Sequence, residues 1–201
     1  MTVYRYHSNC MEITNLLDIS TRHDLRKWYL DNHEKEKLFW IRVNRSGKEI
    51  PGVVMYLDAV EEALCFGWID STMKKIDAGY PIQRFTPRRK SGGWTELNKE
   101  RCRRLIRLGL MTPAGEKILP DMDPKNFVIE DWVIDALKKD DEVWKNFCTF
   151  PETYKRIKLF NIQDYSRAGL HDQALAKLER FISFTRKGKM MPGWNDYGRL
   201  E

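Results

Sequence analysis

The sequence predicts an α+β, helix-rich fold: a small mixed N-terminal α/β unit followed by an all-helical C-terminal part. Three observations lead there. Aromatic and β-branched runs, Leu38 to Val43 and Tyr80 to Arg89, occupy the first half and are bounded by turn residues. Beyond residue 127 the apolar residues recur at helical spacing between capping residues. With 201 residues, 42% hydrophobic and 12% aromatic, the chain carries enough apolar surface for one domain or two small ones.

The elements follow in order. Residues 1–20 read as an N-terminal extension, and a mixed domain spans 21–119. Ser20 or Thr21 caps a helix with Asp24 in its first turn, and Leu25, Trp28 and Tyr29 share one face to about Asn32. Leu38 to Val43 is a strand. Pro51 and Gly52 interrupt before VVMYL. From Leu57 the spacing of Leu57, Val60 and Leu64 predicts a buried helix that Gly67 stops in a left-handed conformation. Trp68 to Ser71 enters a strand, and Tyr80 to Arg89 forms a second strand that Pro81 and Pro87 restrict to a short or edge position. Thr95 caps a helix to about Leu108, stopped by Gly109, and Thr112-Pro113 opens a short helix to Leu119. Residues 120–126, PDMDPKN, read as a linker. A helical domain covers 127–188, with helices at Glu130 to Lys139, Asp141 to Phe150, Pro151 to Asn161 and His171 to Lys187, and residues 189–201 form a tail.

Charge is localised. Between Arg84 and Arg107 nine basic residues face Glu96 and Glu100, a net +7, whereas the whole chain is +6. On a wheel at about 100° per residue, with Leu97 at zero, Leu108 falls near 20°, Arg101 near 40° and Leu105 near 80°. Arg101 therefore lies inside the apolar arc, where a guanidinium needs an ion partner or a stacking face. Lys99, Arg103 and Arg107 fall on the opposite side.

Four widely spaced cysteines without a Cys-x-x-Cys pair, and four scattered histidines, give no metal-ligand spacing and read as reduced thiols of an unsecreted chain. No apolar run reaches the roughly 20 residues of a membrane span, so the chain is expected to be cytoplasmic, with no cofactor.

Three function classes follow from these residues. In the first, Trp68, Asp70, Arg84, Arg88, Arg89, Trp94 and Arg101 line a cleft for an anionic small molecule or acidic partner, the arginines supplying forks and the Trp faces apolar or cation-π contact. The structural alternative pairs Asp70 with Arg101 or Arg84. In the second, Lys99, Arg103 and Arg107 track nucleic-acid phosphates while Phe85 or Trp94 stacks on bases, with Glu96 and Glu100 diluting that face. The third is an unrecognised enzyme, because no phosphate loop, nucleophile elbow or metal cluster is present.

Four motifs carry a family resemblance: EEALCFGWIDS at Glu61 to Ser71, QRFTPRR at Gln83 to Arg89, W-x-x-x-N-K-E-R at Trp94 to Arg101, and GLMTPAG at Gly109 to Gly115. In this order and spacing the chain resembles the YdeI/OmpD-associated family of bacterial proteins. A weaker likeness continues through Ala136 to Arg156 and departs at Gln163 to Gln173, where QDYSRAGLHDQ replaces an Arg-rich stretch. The resemblance implies an α+β fold and a setting of bacteriocin protection, envelope stress or antimicrobial-peptide resistance. It implies no reaction.

Overall fold

The structure, a computed structural model, describes residues 12–77, 79–90 and 92–200. The expectation for residues 1–11 lies outside them. The chain divides into two compact units: residues through Gly92 together with Arg104–Pro120, and Gly93–Arg103 together with the residues from Asp121 onward. The fold is α+β.

The first unit holds a five-stranded mixed sheet. Its strands are β1 (Leu16–Leu17), β2 (Phe39–Asn44), β3 (Val54–Met55), β4 (Trp68–Lys74) and β5 (Ile82–Pro87), in the order β1-β2-β5-β4 with β3 also on β2. β1 and β3 run parallel to β2, and β5 is antiparallel to both β2 and β4. The stretch read as an extension thus supplies β1 and the buried Ile13. Asn15 holds it at φ 56, with its side-chain amide donating to the Leu38 carbonyl at 2.9 Å and its own carbonyl accepting from Trp40 N. A two-residue strand is too short to show alternation in sequence.

β5 corrects the edge expectation, because it lies inside the sheet between β2 and β4. Its prolines are tolerated there by position: Pro81 precedes the strand and Pro87 is its last residue, so the ladder bonds of the interior need neither missing N–H.

Helices α1 (Arg22–Asn32) and α2 (Tyr56–Cys65) pack on this sheet, with Thr21 Oγ1 accepting from Asp24 N at the start of α1. Leu25 and Tyr29, on the apolar face of α1, are fully buried. Tyr29 stacks on Phe66 at 5.1 Å, Phe39 on Phe85 at 5.2 Å, and Trp28 meets Trp68 edge-on at 6.0 Å. Each such pair is worth about 0.5–1.5 kcal/mol beyond the area it buries. Burial pushes the Tyr29 hydroxyl well above its ordinary pKa.

α2 ends at Gly67, φ 75, as its sequence position requires. The Thr112-Pro113 segment docks on that end: Thr112 N and Thr112 Oγ1 both donate to the Cys65 carbonyl, at 3.2 and 2.5 Å, and α4 (Pro113–Glu116) follows. A Cβ at Gly115 would sit 2.3 Å from the Cys65 carbonyl oxygen and 2.6 Å from the Met111 sulfur. The backbone oxygen cannot rotate away. Gly115→Ala is therefore expected to lower stability by about 1–3 kcal/mol in denaturant titration, the range for overpacking. Gly93→Ala, whose Cβ meets nothing within 4 Å, is the control. Equal losses for the two would show that the approach of α4 to α2 is slack.

The second unit contains α3 residues up to Arg103 (the helix spans Glu96–Arg107), then α5 (Asp131–Lys138), α6 (Asp141–Thr149), α7 (Glu152–Arg167) and α8 (His171–Arg186). A 3-10 turn at Pro124–Asn126 interrupts the stretch read as a linker. α7 runs six residues past the expected end at Asn161, because its periodicity continues through the buried Ile162 and Gln163. Val133, Leu137, Val143, Phe147, Tyr154, Leu159 and Phe181 belong to the core of the unit, to which α8 adds Leu178, with Ile182 packed alongside and Ala174 also buried. The residues read as a tail are part of this unit. Trp194 meets Tyr154 edge-on at 5.5 Å, Met191 N donates to Tyr154 Oη, and Leu200 is buried.

Candidate functional site

The residues named from sequence as a single cleft separate into different environments. Trp68 is core, 1% exposed, its indole N–H donating to the His33 carbonyl at 3.2 Å. Asp70 accepts from Tyr56 Oη at 2.7 Å, and this replaces the expected pairing with Arg101 or Arg84. The reason is reach: Tyr56 opens α2, and its hydroxyl arrives at the corner where Asp70 emerges from β4. Arg84 is partly buried on β5, directly opposite Trp40 on β2. Arg88 is 7% exposed with its backbone N–H on the Gly67 carbonyl, so it is not the solvent-facing fork its place beyond Pro87 suggests. Arg89 is exposed. Trp94 and Arg101 belong to the other unit.

Arg101 forks onto Asp196, Nε to Oδ2 at 2.6 Å and Nη2 to Oδ1 at 2.9 Å, with Nη1 on Asn98. Its place in the apolar arc is thus explained by an ion pair. Asp196 and Tyr197 adopt φ 49 and 59, left-handed values for residues with a side chain.

The face expected to be a solvated phosphate track is instead closed by carboxylates. Glu96 and Glu100, 3% and 6% exposed, lie beneath it. Lys99 Nζ reaches Glu96 at 2.9 Å, Arg103 Nη1 reaches Glu100 at 2.7 Å, and Arg103 also donates twice to the Met122 carbonyl. Arg107 is exposed, whereas Phe85 is buried against Phe39 and cannot stack on a base.

Two recesses carry charge. In the first unit a cleft of about 530 Å³ lies between Thr21 and Arg22, the Pro51-Gly52 turn and Asp58. Beneath it Arg22 donates to Asp58, Glu61 and Glu62 at 3.1, 2.7 and 2.7 Å, Arg26 joins Glu62 at 2.9 Å, and Arg104 joins Glu61 at 3.0 Å. Three arginines balance three carboxylates. Burial acts to lower the Arg22 pKa, but Glu62 and Glu61 hold it above the ordinary value. Beside them burial and Glu62 push the Cys65 thiol up to about 12, which removes it as a nucleophile at neutral pH. Glu49 and Asp58 on the walls oppose an anion here.

In the second unit a cavity of about 260 Å³ opens at the first turn of α7. Pro124, Phe127 and Ile129 give it an apolar wall, and Lys125, Glu152, Lys155 and Arg156 give it a charged one. Lys155 is 6% exposed; its ammonium binds Glu152 at 2.8 Å and lies 4.9 Å from the Phe147 ring. Arg156 Nη2 reaches Glu100 at 3.1 Å, while its buried Nε makes no hydrogen bond and is 3.6 Å from Glu96. Pro151 caps α7 without a side-chain bond to its first N–H groups. Sequence reasoning missed this site. Its signal was PETYKR, two cations one turn into a helix, but nothing local shows that Lys155 is buried while Glu152 is not.

Among the described residues no group of three or more His, Cys, Asp or Glu side chains is placed to hold a metal ion, and no helix is long and apolar enough to cross a membrane. The chain belongs to the family DUF8412, a domain of unknown function, whose model matches residues 17–118, just over half of its length. That match runs from β1 through α4. No curated protein and no solved structure matches the chain.

Proposed function

We propose that this is a binding protein for a small anionic molecule, held in the cavity at the start of α7. The observation that carries this reading is Lys155: a residue only 6% exposed on the wall of a cavity, its ammonium held by Glu152 and the Cys148 carbonyl, beside a guanidinium nitrogen of Arg156 that lacks a hydrogen bond. Such groups strongly favour an anion, because a low local dielectric strengthens each contact and desolvation is already complete. The apolar wall of Phe127 and Ile129 adds affinity for the body of an organic anion. The fork-and-tryptophan cleft expected around Arg84 to Arg101 is not the reading we prefer, since Trp68 is core, Arg88 is buried and Arg101 is ion-paired to Asp196. Nucleic-acid binding along Lys99 and Arg103 is weakened by their buried carboxylate partners. A cytoplasmic stress or antimicrobial-peptide response is the setting we carry over for this binding from the resemblance to YdeI/OmpD-associated proteins.

Titration with benzoate and with inorganic phosphate, followed by backbone amide shifts, tests the reading. Shifts confined to residues 124–129 and 152–156, and lost in Lys155→Met with the fold retained, are the expected result. Shifts centred instead on Arg89 and Arg107 would overturn the α7 cavity as the site and put binding at the exposed basic residues.

A further inference from the structure

Beyond the α7 cavity, and without resting on it, we infer that the seam between α7 and α8 is a track for the phosphate backbone of single-stranded nucleic acid, held by Lys158, Lys177, Arg180 and Lys187. Ion pairing singles these four out. Of the other Lys and Arg side chains on the two helices, Lys155 is answered by Glu152, Arg156 by Glu100, Arg167 by Glu130 and Arg186 by Asp140. Lys158, Lys177 and Arg180 remain, with Lys187 at the end of α8, and among the described residues none of them is within ion-pair distance of a carboxylate.

The four converge on one side of the helix pair. Lys158 and Tyr165 are seven residues apart on α7 and so share a face, and Lys177 Nζ lies 4.2 Å from the centre of the Tyr165 ring. On α8, with Lys177 at zero and about 100° per residue, Arg180 falls near 300° and Lys187 near 280°. Asp172 and Glu179 fall near 220° and 200°, outside that arc, and Asp164 lies about 120° round α7 from Lys158. In the segment after α8, the Pro192 carbonyl accepts from Lys158 Nζ at 3.4 Å, while Asp196 is taken by Arg101. Burial, with Arg180 and Lys177 close by, pushes Lys158 below its ordinary pKa, the direction expected where no carboxylate offsets its neighbours. The α3 face differs in this respect, because Glu96 and Glu100 answer Lys99 and Arg103 there.

An open row of cations selects a polyanion. A small ion meets one or two exposed charges and gains little, whereas a strand meets the whole row and releases its own counterions. The rise from Lys177 to Lys187 is about 15 Å, so the charges are spread along the helix and not gathered at a point. Lysine ammonium groups act as point charges toward phosphate, and half-buried Phe184, near 340° on the same arc, offers an apolar ring to a base.

Anisotropy titration of the full chain with a labelled oligothymidine of about ten nucleotides, over a series of salt concentrations, tests the track. Four phosphate contacts predict a slope of about −3 for the logarithm of the binding constant against that of salt. Arg180→Gln combined with Lys187→Gln is expected to reduce the slope to about −1.4, and Arg107→Gln on α3 to leave it unchanged. All three residues are exposed, so the fold is not at risk. A slope unmoved by the α8 pair, or moved equally by Arg107→Gln, would overturn the track. An oligoglutamate of equal charge binding as tightly as the oligothymidine would overturn the nucleic-acid class and assign the seam to acidic protein segments. Absence of salt-dependent binding would overturn the inference altogether and leave the reading of the α7 cavity standing.

Discussion

Arg101→Ala should lower the unfolding free energy of the C-terminal unit by about 3–5 kcal/mol, because it leaves a buried carboxylate without its fork. The side chains of Arg101 and Asp196 are 9% and 8% exposed, and both nitrogens of the fork are within 2.9 Å of an oxygen. Water cannot replace the lost partner. The left-handed backbone at Asp196 adds to the effect, since a strained conformation persists only while its contacts hold it. Amide hydrogen exchange of α7 and α8, which lie wholly in this unit, reads it separately from the other. Asp196→Ala should lose a similar amount, and the double variant much less than the sum of the two. A loss near 1 kcal/mol or below for Arg101→Ala would mean the pair behaves as a surface pair and is not a buried lock.

Glu62→Ala should cost about 3 kcal/mol, the lower end for breaking a buried pair. Glu62 is 1% exposed and holds two arginines, Arg22 at 2.7 Å and Arg26 at 2.9 Å. Those arginines keep 31% and 28% of their side-chain surface, so water relieves part of the loss. Glu62→Gln, which keeps an acceptor and loses the charge, should fall between. The control is Glu34→Ala on the 85% exposed Glu34, expected to change stability by less than about 0.5 kcal/mol. Thermal unfolding of the three variants separates these cases. If Glu62→Ala and Glu34→Ala were indistinguishable, the six-membered charge network would be ornamental to the fold.

Local chemistry made much of the fold legible. Thr21, Gly67, Gly109 and Gly188 mark helix ends by capping or by positive φ, and these depend on residues within one turn of each other. The alternation that places Phe39 and Phe85 on one face, and the arc that buries Leu105, are equally short-range. What stayed hidden depends on residues distant in sequence. The position of β5 inside the sheet requires β2 and β4 on either side of it. Arg101 could be seen to need a partner, but Asp196, 95 residues away, carries no local sign of being one. Arg88 was read as a ligand fork beside Arg89, yet it is buried where Arg89 and Lys90 are exposed. The α7 cavity was invisible for the same reason: Lys155 and Glu152 form an ordinary i, i+3 pair in sequence, and only packing distinguishes their exposures.

The division of the chain also bears on the order in which it can fold. Neither unit is one continuous stretch, since residues 93–103 belong with those after 120 while 104–120 belong with those before 93. On a ribosome, Arg101 emerges long before Asp196, and its guanidinium must stay hydrated until the chain returns. Closing a loop of that length costs only slowly more as it lengthens, but it delays the contact. The first eleven residues of this unit are thus made early and completed last, and a nascent chain arrested before residue 196 would present α3 with its apolar arc and an unanswered arginine.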